Sequence, residues 1–131
     1  MLSYRHILCS LILCATFLCG CIEQEYSSGP DVIIYKTETS VENGLFKMIF
    51  HLKNIGNEEA TMIYMLVNVE NQDGETRINR FVYPCQTLQP GETCTEIESI
   101  KIWHNEEKYY ADIEVHWMGG EHMYNYVWNI E

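Results

Sequence analysis

Short β-prone segments, separated by turn sequences at intervals close to ten residues, constrain the fold of this chain more than any other feature. The turns are rich in Gly, Pro, Asn and Glu, as in Glu42-Asn43-Gly44 and Pro90-Gly91-Glu92. No segment carries a convincing 3.6-residue apolar stripe, so helix should be minor. This spacing is typical of an all-β antiparallel sandwich or barrel, and it predicts about seven strands. They are 31–38, 45–54, 62–70, 76–83, 95–103, 109–118 and 123–130.

Alternation of apolar and polar residues assigns the faces of these strands. In the second strand, Phe46 and Phe50 lie on the face opposite to Lys47 and His51. The sixth strand divides in the same way, with Ile113, Val115 and Trp117 on one side and Asp112, Glu114 and His116 on the other. The third strand is apolar on both sides, which indicates a central or covered position. In the fifth strand, the three-residue step from Ile97 to Ile100 predicts a bulge or a corner.

The first twenty residues have the composition of a secretory signal. Arg5 precedes a mostly apolar run from Ile7 to Leu18, and Glu23 soon interrupts the apolar sequence. A spanning helix needs about 20 apolar residues, so a cleaved signal is favoured over a membrane anchor. Leu18-Cys19-Gly20-Cys21 resembles the lipobox of bacterial and archaeal lipoproteins. The resemblance implies that residues 1–20 are removed and that Cys21 carries a lipid.

The charge balance restricts the partners of the chain. Eight basic and nineteen acidic side chains give a net charge of −11, and loss of residues 1–20 removes only Arg5, which leaves −12. A negative net charge disfavours binding to nucleic acid, because the phosphate backbone is also negative. It also opposes binding to anionic headgroups, so the lipid on Cys21 must supply the membrane attachment. Residues 21–31 are then the lipidated N-terminus and tether, and residues 32–131 form one domain outside the cytoplasm.

The cysteines fit an exported protein. Three of the six leave with the signal and Cys21 is lipidated, so only Cys85 and Cys94 remain. An even pair in an exported chain predicts a disulfide, with a free thiol or a metal pair as alternatives. A tight turn at Pro90-Gly91 would place Cys94 opposite Thr87, so the loop should be wider than a simple hairpin.

The sequence lacks the motifs of common catalytic sites. It contains no nucleophile elbow, C-x-x-C, H-E-x-x-H or phosphate-cradling glycine loop, so we expect no enzymatic activity and no cofactor. The segment 71–75 offers oxygen ligands for calcium, but a polar hairpin turn is favoured because the full ligand pattern of a calcium loop is missing. Glu58-Glu59 and Glu106-Glu107 are interpreted as solvated turn ends.

Two clusters near the C-terminus have alternative interpretations. The aromatic residues of the last two strands include Tyr124, Tyr126 and Trp128, which form either a stacking platform for a ligand or, as alternation favours, part of the core. The second cluster contains imidazole and thioether groups, which can bind copper. Its members are His116, Met118, His122 and Met123. Because the last two are adjacent and point to opposite faces, at most three can converge, and no metal site is expected.

Two turn sequences resemble those of a known group of envelope domains. The stretch from Phe50 to Ala60 contains Asn54-Ile55-Gly56-Asn57, and a second stretch reads Leu88-Gln89-Pro90-Gly91-Glu92-Thr93. Together they resemble immunoglobulin-like domains of the CARDB-like and FxLYD-like families, over roughly residues 41–130. The resemblance implies a single immunoglobulin-like β-sandwich.

The combined hypothesis is a lipoprotein held outside the cytoplasm by Cys21. It would act as a non-catalytic binding or adhesion module for an envelope protein or surface polymer. The alternative function is binding of a solute or metal by a lipoprotein that uses the hairpin tip at residues 116–123.

Overall fold

A computed structural model describes residues 28–131, which fold into nine β-strands. The strands are β1 (Val32–Glu42), β2 (Leu45–Asn54), β3 (Ala60–Thr61), β4 (Tyr64–Asn71), β5 (Thr76–Val82), β6 (Thr87–Leu88), β7 (Thr93–Lys101), β8 (Lys108–Trp117) and β9 (Gly120–Asn129). In this described part of the chain, no helix has the length and hydrophobicity needed to span a membrane. The predicted signal of residues 1–20 and Cys21, with the segment that resembles a lipobox, lie outside the described residues.

Two antiparallel sheets face each other. One has the strand order β1-β2-β7 and the other β5-β4-β8-β9, and the short strands β3 and β6 pair separately. The prediction of a single antiparallel β-sandwich is confirmed. The central position predicted for the third segment is also confirmed, because β4 pairs with both β5 and β8.

The core lies between the inner faces of the two sheets. Phe46 and Phe50 of β2 are buried as their alternation predicts, and so are Val67 of β4 and Ile113 and Val115 of β8. The outward-facing Asp112 is exposed. Packing of two apolar faces therefore determines which side of each strand meets water.

The prediction of a bulge in the fifth segment is wrong. β7 pairs with β2 without interruption from Thr93 to Lys101. Ile97 points outward and is exposed, whereas Glu98 points inward and is buried. Arg80 of β5 pairs with the carboxylate of Glu98. The apolar spacing was misleading because an acidic side chain, neutralised from the opposite sheet, occupies an inner position.

The segment that joins the two sheets carries the disulfide. Cys85 precedes β6, while Cys94 lies on β7 opposite Leu52 of β2. The two cysteines form the predicted disulfide, with their Cα atoms 6.4 Å apart. The loop is wider than a hairpin, as expected, because β6 pairs with β3 rather than with β7.

Glu106 is not the solvated turn residue that the sequence predicts. Its side chain is buried and accepts hydrogen bonds from Tyr109 Oη at 2.7 Å and from Arg77 Nε at 2.8 Å. The backbone N–H of Trp103 also donates to it, at 2.9 Å. Burial alone would raise the pKa of Glu106, but these bonds outweigh it and hold the pKa below its usual value. Glu106 therefore stabilises the end of the sandwich where its loop folds inward.

Asn54 connects three segments at the other end of the sandwich. Its Oδ1 accepts hydrogen bonds from the N–H of Asp31 and of Gly56, at 3.2 and 2.9 Å. Its Nδ2 donates to the carbonyls of Glu58 and Leu88, at 2.7 and 2.9 Å. All four hydrogen bonds of the buried amide are therefore made. They join the turn sequences 54–57 and 88–93 to each other and to the start of β1.

Gly56 lies directly against the beginning of the domain. A Cβ atom at this position would be 2.0 Å from the carbonyl oxygen of Gly29, so only glycine fits without movement. Asn57 binds the same segment twice, since its Oδ1 accepts from Gly29 N at 2.7 Å and its own N–H donates to Gly29 O at 3.0 Å. Residues 29–31, assigned from the sequence to the tether, are thus hydrogen bonded to the sandwich.

The inward side chains of β9 cover the gap beside β1. Tyr124, Tyr126 and Trp128 stack in a row and pack against the core, which confirms the prediction that these three residues belong to the core. Tyr124 Oη accepts a hydrogen bond from the N–H of Ile34 of β1, at 3.1 Å. These three side chains cover the edge of the sandwich between β9 and β1.

Candidate binding face

An apolar groove lies beside the short strands, at the end of the sandwich that holds residues 29–31. Its volume is about 650 Å³, within the usual range of small-molecule pockets. The lining residues come from two segments that flank β3 and β6. They are Thr61, Met62, Ile63, Tyr64, Tyr83, Cys85, Gln86 and Thr87.

The groove walls are held by covalent and backbone constraints. The disulfide joins Cys85 in one wall to β7 of the opposite sheet. In the other wall, Met62 has a φ of +55° and an exposed side chain. An apolar residue in the left-handed region is uncommon and costs free energy, which the surrounding structure must offset. No sequence pattern signals this conformation, so sequence reasoning missed the groove.

Aromatic side chains continue from the groove onto the outer face of the four-stranded sheet. We call Tyr64, Phe81, Tyr83 and His116 the aromatic cluster. Tyr64 is at its centre, stacked on the imidazole of His116 at 4.6 Å between ring centroids and near Phe81 at 5.9 Å. Phe81 is 59% exposed and Tyr83 is 75% exposed. The cluster therefore presents aromatic surface to solvent without needing any rearrangement.

Two carboxylates flank His116 on the same outer face. Its Nε2 lies 3.2 Å from Oε1 of Glu114, and its Nδ1 lies 3.3 Å from Oε2 of Glu121. Glu121 is directly opposite His116 in the β8–β9 ladder, and Glu114 is two residues earlier on β8. Sequence reasoning missed this trio because it depends on the exact register across the hairpin turn. With a two-residue turn at Met118-Gly119, the pairing follows directly.

The four copper-ligand candidates from the sequence do not converge. His116 faces outward, but His122 lies on the inner side of β9, where its Nε2 is 2.6 Å from Oδ1 of Asp31. Met123 is exposed on the outer side, opposite Glu114. Met118 is in the turn, with its sulfur 4.0 Å from the hydroxyl of Thr61.

The calcium candidate at residues 71–75 forms the polar hairpin turn favoured by its sequence. Asn71 is buried, and its Oδ1 accepts hydrogen bonds from the N–H of Asp73 and of Glu75, both at 3.0 Å. Gly74 has a φ of +78°, which suits the turn. The amide oxygen is thus committed to the turn itself.

Comparison with known proteins bears on the fold alone. No family model matches the chain, and no curated protein matches it. A solved protein assigned as ApaA, from Bordetella pertussis, is similar at a TM-score of 0.52 and 13% identity, over 79% of this chain and 91% of that one. At this identity, the likeness shows the fold alone.

Two further solved structures are more distant. β-Glucosidase 3B from Thermotoga neapolitana, in complex with α-D-glucose, has a TM-score of 0.47 and 14% identity over 74% of this chain. The match spans only 17% of the β-glucosidase. The GAE domain of GGA2p from Saccharomyces cerevisiae has a TM-score of 0.33 and 10% identity, over 78% and 97% of the two chains. Neither likeness gives information about function.

Proposed function

We propose that this protein is a lipid-anchored, extracytoplasmic binding module that recognises another component of the cell envelope without catalysis. The observation that carries the proposal is the apolar groove, continuous with the exposed rings of Phe81 and Tyr83. Exposed aromatic rings stack on sugar rings and on apolar side chains, so an envelope protein or a surface polymer is the class of ligand that fits.

The negative charge near the groove further restricts the class of partner. Glu114, Glu121 and Asp112 lie on the same outer face, and the mature chain carries a net charge of −12. Negative charge disfavours an anionic polymer and favours a neutral or basic partner. The aromatic rings supply the contact area, and the carboxylates select among the surfaces that the rings can touch.

The anchor determines where the groove can act. The tether from Cys21 to Ser28 spans at most about 25 Å when fully extended. The groove is at the end of the sandwich that holds residues 29–31, so the proposed lipid would keep it close to the membrane. Partners at the membrane surface are therefore the ones within reach.

Crosslinking in intact envelopes tests the binding role. Tyr83→Ala removes an exposed ring at the groove, while Tyr110→Ala removes an exposed ring at the far end of the same sheet face. We expect Tyr83→Ala to lose crosslinked neighbours that Tyr110→Ala keeps, with both variants folded as shown by circular dichroism. An identical crosslinking pattern in the two variants would reject the groove as the binding site.

A second variant tests the anchor independently. Cys21→Ser should release the protein from the membrane fraction or block its maturation, because the acidic body has no electrostatic attraction to headgroups. Fractionation with membranes as before would refute the lipid anchor.

A further inference from the structure

His116 is unusual among the described histidines because a carboxylate faces each of its ring nitrogens. A neutral imidazole carries one N–H, so it can satisfy one carboxylate while the other meets a lone pair. Within residues 28–131, neither Glu114 nor Glu121 forms an ion pair with a lysine or arginine. A cation bound at the nitrogen that carries the lone pair would offset the repulsion between that lone pair and the carboxylate facing it.

The backbone presents these three side chains on a rigid frame. His116 and Glu121 face each other in the β8–β9 ladder beside a two-residue turn, and Tyr64 of β4 stacks flat on the imidazole with an interplanar angle of 2°. Because strand pairing and stacking fix the imidazole, only one carboxylate must move for both to reach an ion at the same ring nitrogen.

We propose that Glu114, His116 and Glu121 form a zinc site. One ligand atom from each residue already lies within 4.8 Å of the others, and ligand atoms around tetrahedral zinc are about 3.4 Å apart. Glu121 faces Nδ1 and is half exposed, so its carboxylate can move toward an ion held by Glu114 and by Nε2 of His116.

The donor set selects the metal class. One imidazole nitrogen with two carboxylate oxygens suits zinc, whereas calcium and magnesium prefer oxygen donors alone. Three protein ligands leave the fourth position open, on the face that carries the aromatic cluster. The proposal does not depend on the envelope-binding role, because it rests on the trio alone.

The test is isothermal titration of the full chain in detergent with zinc chloride, without reductant so that the disulfide stays intact. We expect one zinc ion per chain and much weaker binding of magnesium and calcium. His116→Gln and Glu121→Gln should each weaken zinc binding by more than about tenfold, because each removes a direct ligand and even loss of an outer partner of a ligand costs about tenfold to 100-fold. The matched control is His51→Gln, since His51 faces a single carboxylate, with Nε2 2.7 Å from Oε2 of Glu38. It should bind zinc as the unaltered chain does.

The outcomes are distinct because Glu121 is half exposed and its replacement should leave the fold intact. Equal melting temperatures of Glu121→Gln and the unaltered chain without zinc would verify this. Absence of zinc binding, or binding that survives both His116→Gln and Glu121→Gln, would overturn the site and leave the trio as a hydrogen-bonded surface cluster.

Discussion

Glu96 and Glu98 are two acids on the inward side of β7, separated by one residue. Burial raises the pKa of Glu96 to about 7, and a hydrogen bond to Glu98 and the charge of its carboxylate add to the effect. Arg80 acts in the opposite direction but pairs with Glu98. One cation therefore serves two carboxyl groups, and Glu96 retains its proton at a pH where ordinary glutamates have lost theirs.

This arrangement predicts a stability that falls as the pH rises. The folded state holds a proton on Glu96 between pH 4.5 and about 7, while the unfolded chain releases it, so this contribution to folding is lost across that window. Thermal melts from pH 4.5 to 8 should show the decline, and Glu96→Gln should flatten it. Replacement of the exposed Glu59 by Gln is the control. A decline that persists unchanged in Glu96→Gln would contradict the assignment.

At the scale of a strand, β9 shows how alternation separates neighbouring residues. Trp128 packs inward beside Phe46 and Phe50, whereas Val127 points outward and is 59% exposed. Trp128→Ala should lower the free energy of unfolding by about 3 kcal/mol, because it leaves a cavity at the sheet edge. Val127→Ala should change it by only about 0.5 kcal/mol. Urea denaturation measures both, and equal effects would mean that Trp128 contributes little to the core.

The segment from β5 to β7 depends on the disulfide. Closure of the ten-residue loop between Cys85 and Cys94 restricts the unfolded chain by about 2.7 kcal/mol. The double variant Cys85→Ala/Cys94→Ala should lose stability of that order. Mass spectrometry of native material without reductant checks the bond itself, and two free thiols there would refute it.

Strands with a long alternating pattern could be predicted from the sequence, and shorter ones could not. The bounds of β2 match the prediction, since four inward apolar residues alternate without a break. β3 and β6 have two residues each, too few for a period to register. In β7 the pattern failed because Glu98 takes a core position and pairs there with Arg80, which is distant in sequence.

The candidate site was harder to predict because it combines residues from separate strands. Tyr64 meets His116 through the β4–β8 pairing, and the sequence does not specify which strands are neighbours. Alternation did place His116 and Glu114 together on the outer face, but Glu121 joins them only through the length of the turn. Face assignment is local information, whereas pairing is a property of the whole fold.

At the scale of the whole molecule, side chains bridge both open edges of the sandwich. Tyr124 connects β9 to β1, and His122 connects it to Asp31 just before β1. Arg80 and Glu98 connect β5 to β7. Such bridges replace the hydrogen bonds that a closed barrel would form between its edge strands.

The effects of replacing Arg80 and Glu98 on the free energy of unfolding should not be additive. Arg80→Met leaves the buried carboxylate of Glu98 without its cation and should cost about 3 kcal/mol of unfolding free energy. The double variant Arg80→Met/Glu98→Leu should recover most of this loss, because apolar residues can replace a buried ion pair at little cost. Additive losses in the double variant, measured by urea denaturation, would show that the two residues act separately.

The amide of Asn54 has a mechanical consequence. It binds the backbone of Asp31 at the start of the domain and of Leu88 beside the groove. Tension applied between residue 28 and the groove would follow this short route and would bypass the β-ladders. Asn54→Ala should therefore lower the force at which the domain yields when it is stretched between residues 28 and 87 in an optical trap. An unchanged yield force would locate the resistance elsewhere. A module that is anchored and pulled at the same end can bear load while the rest of its sandwich carries no tension.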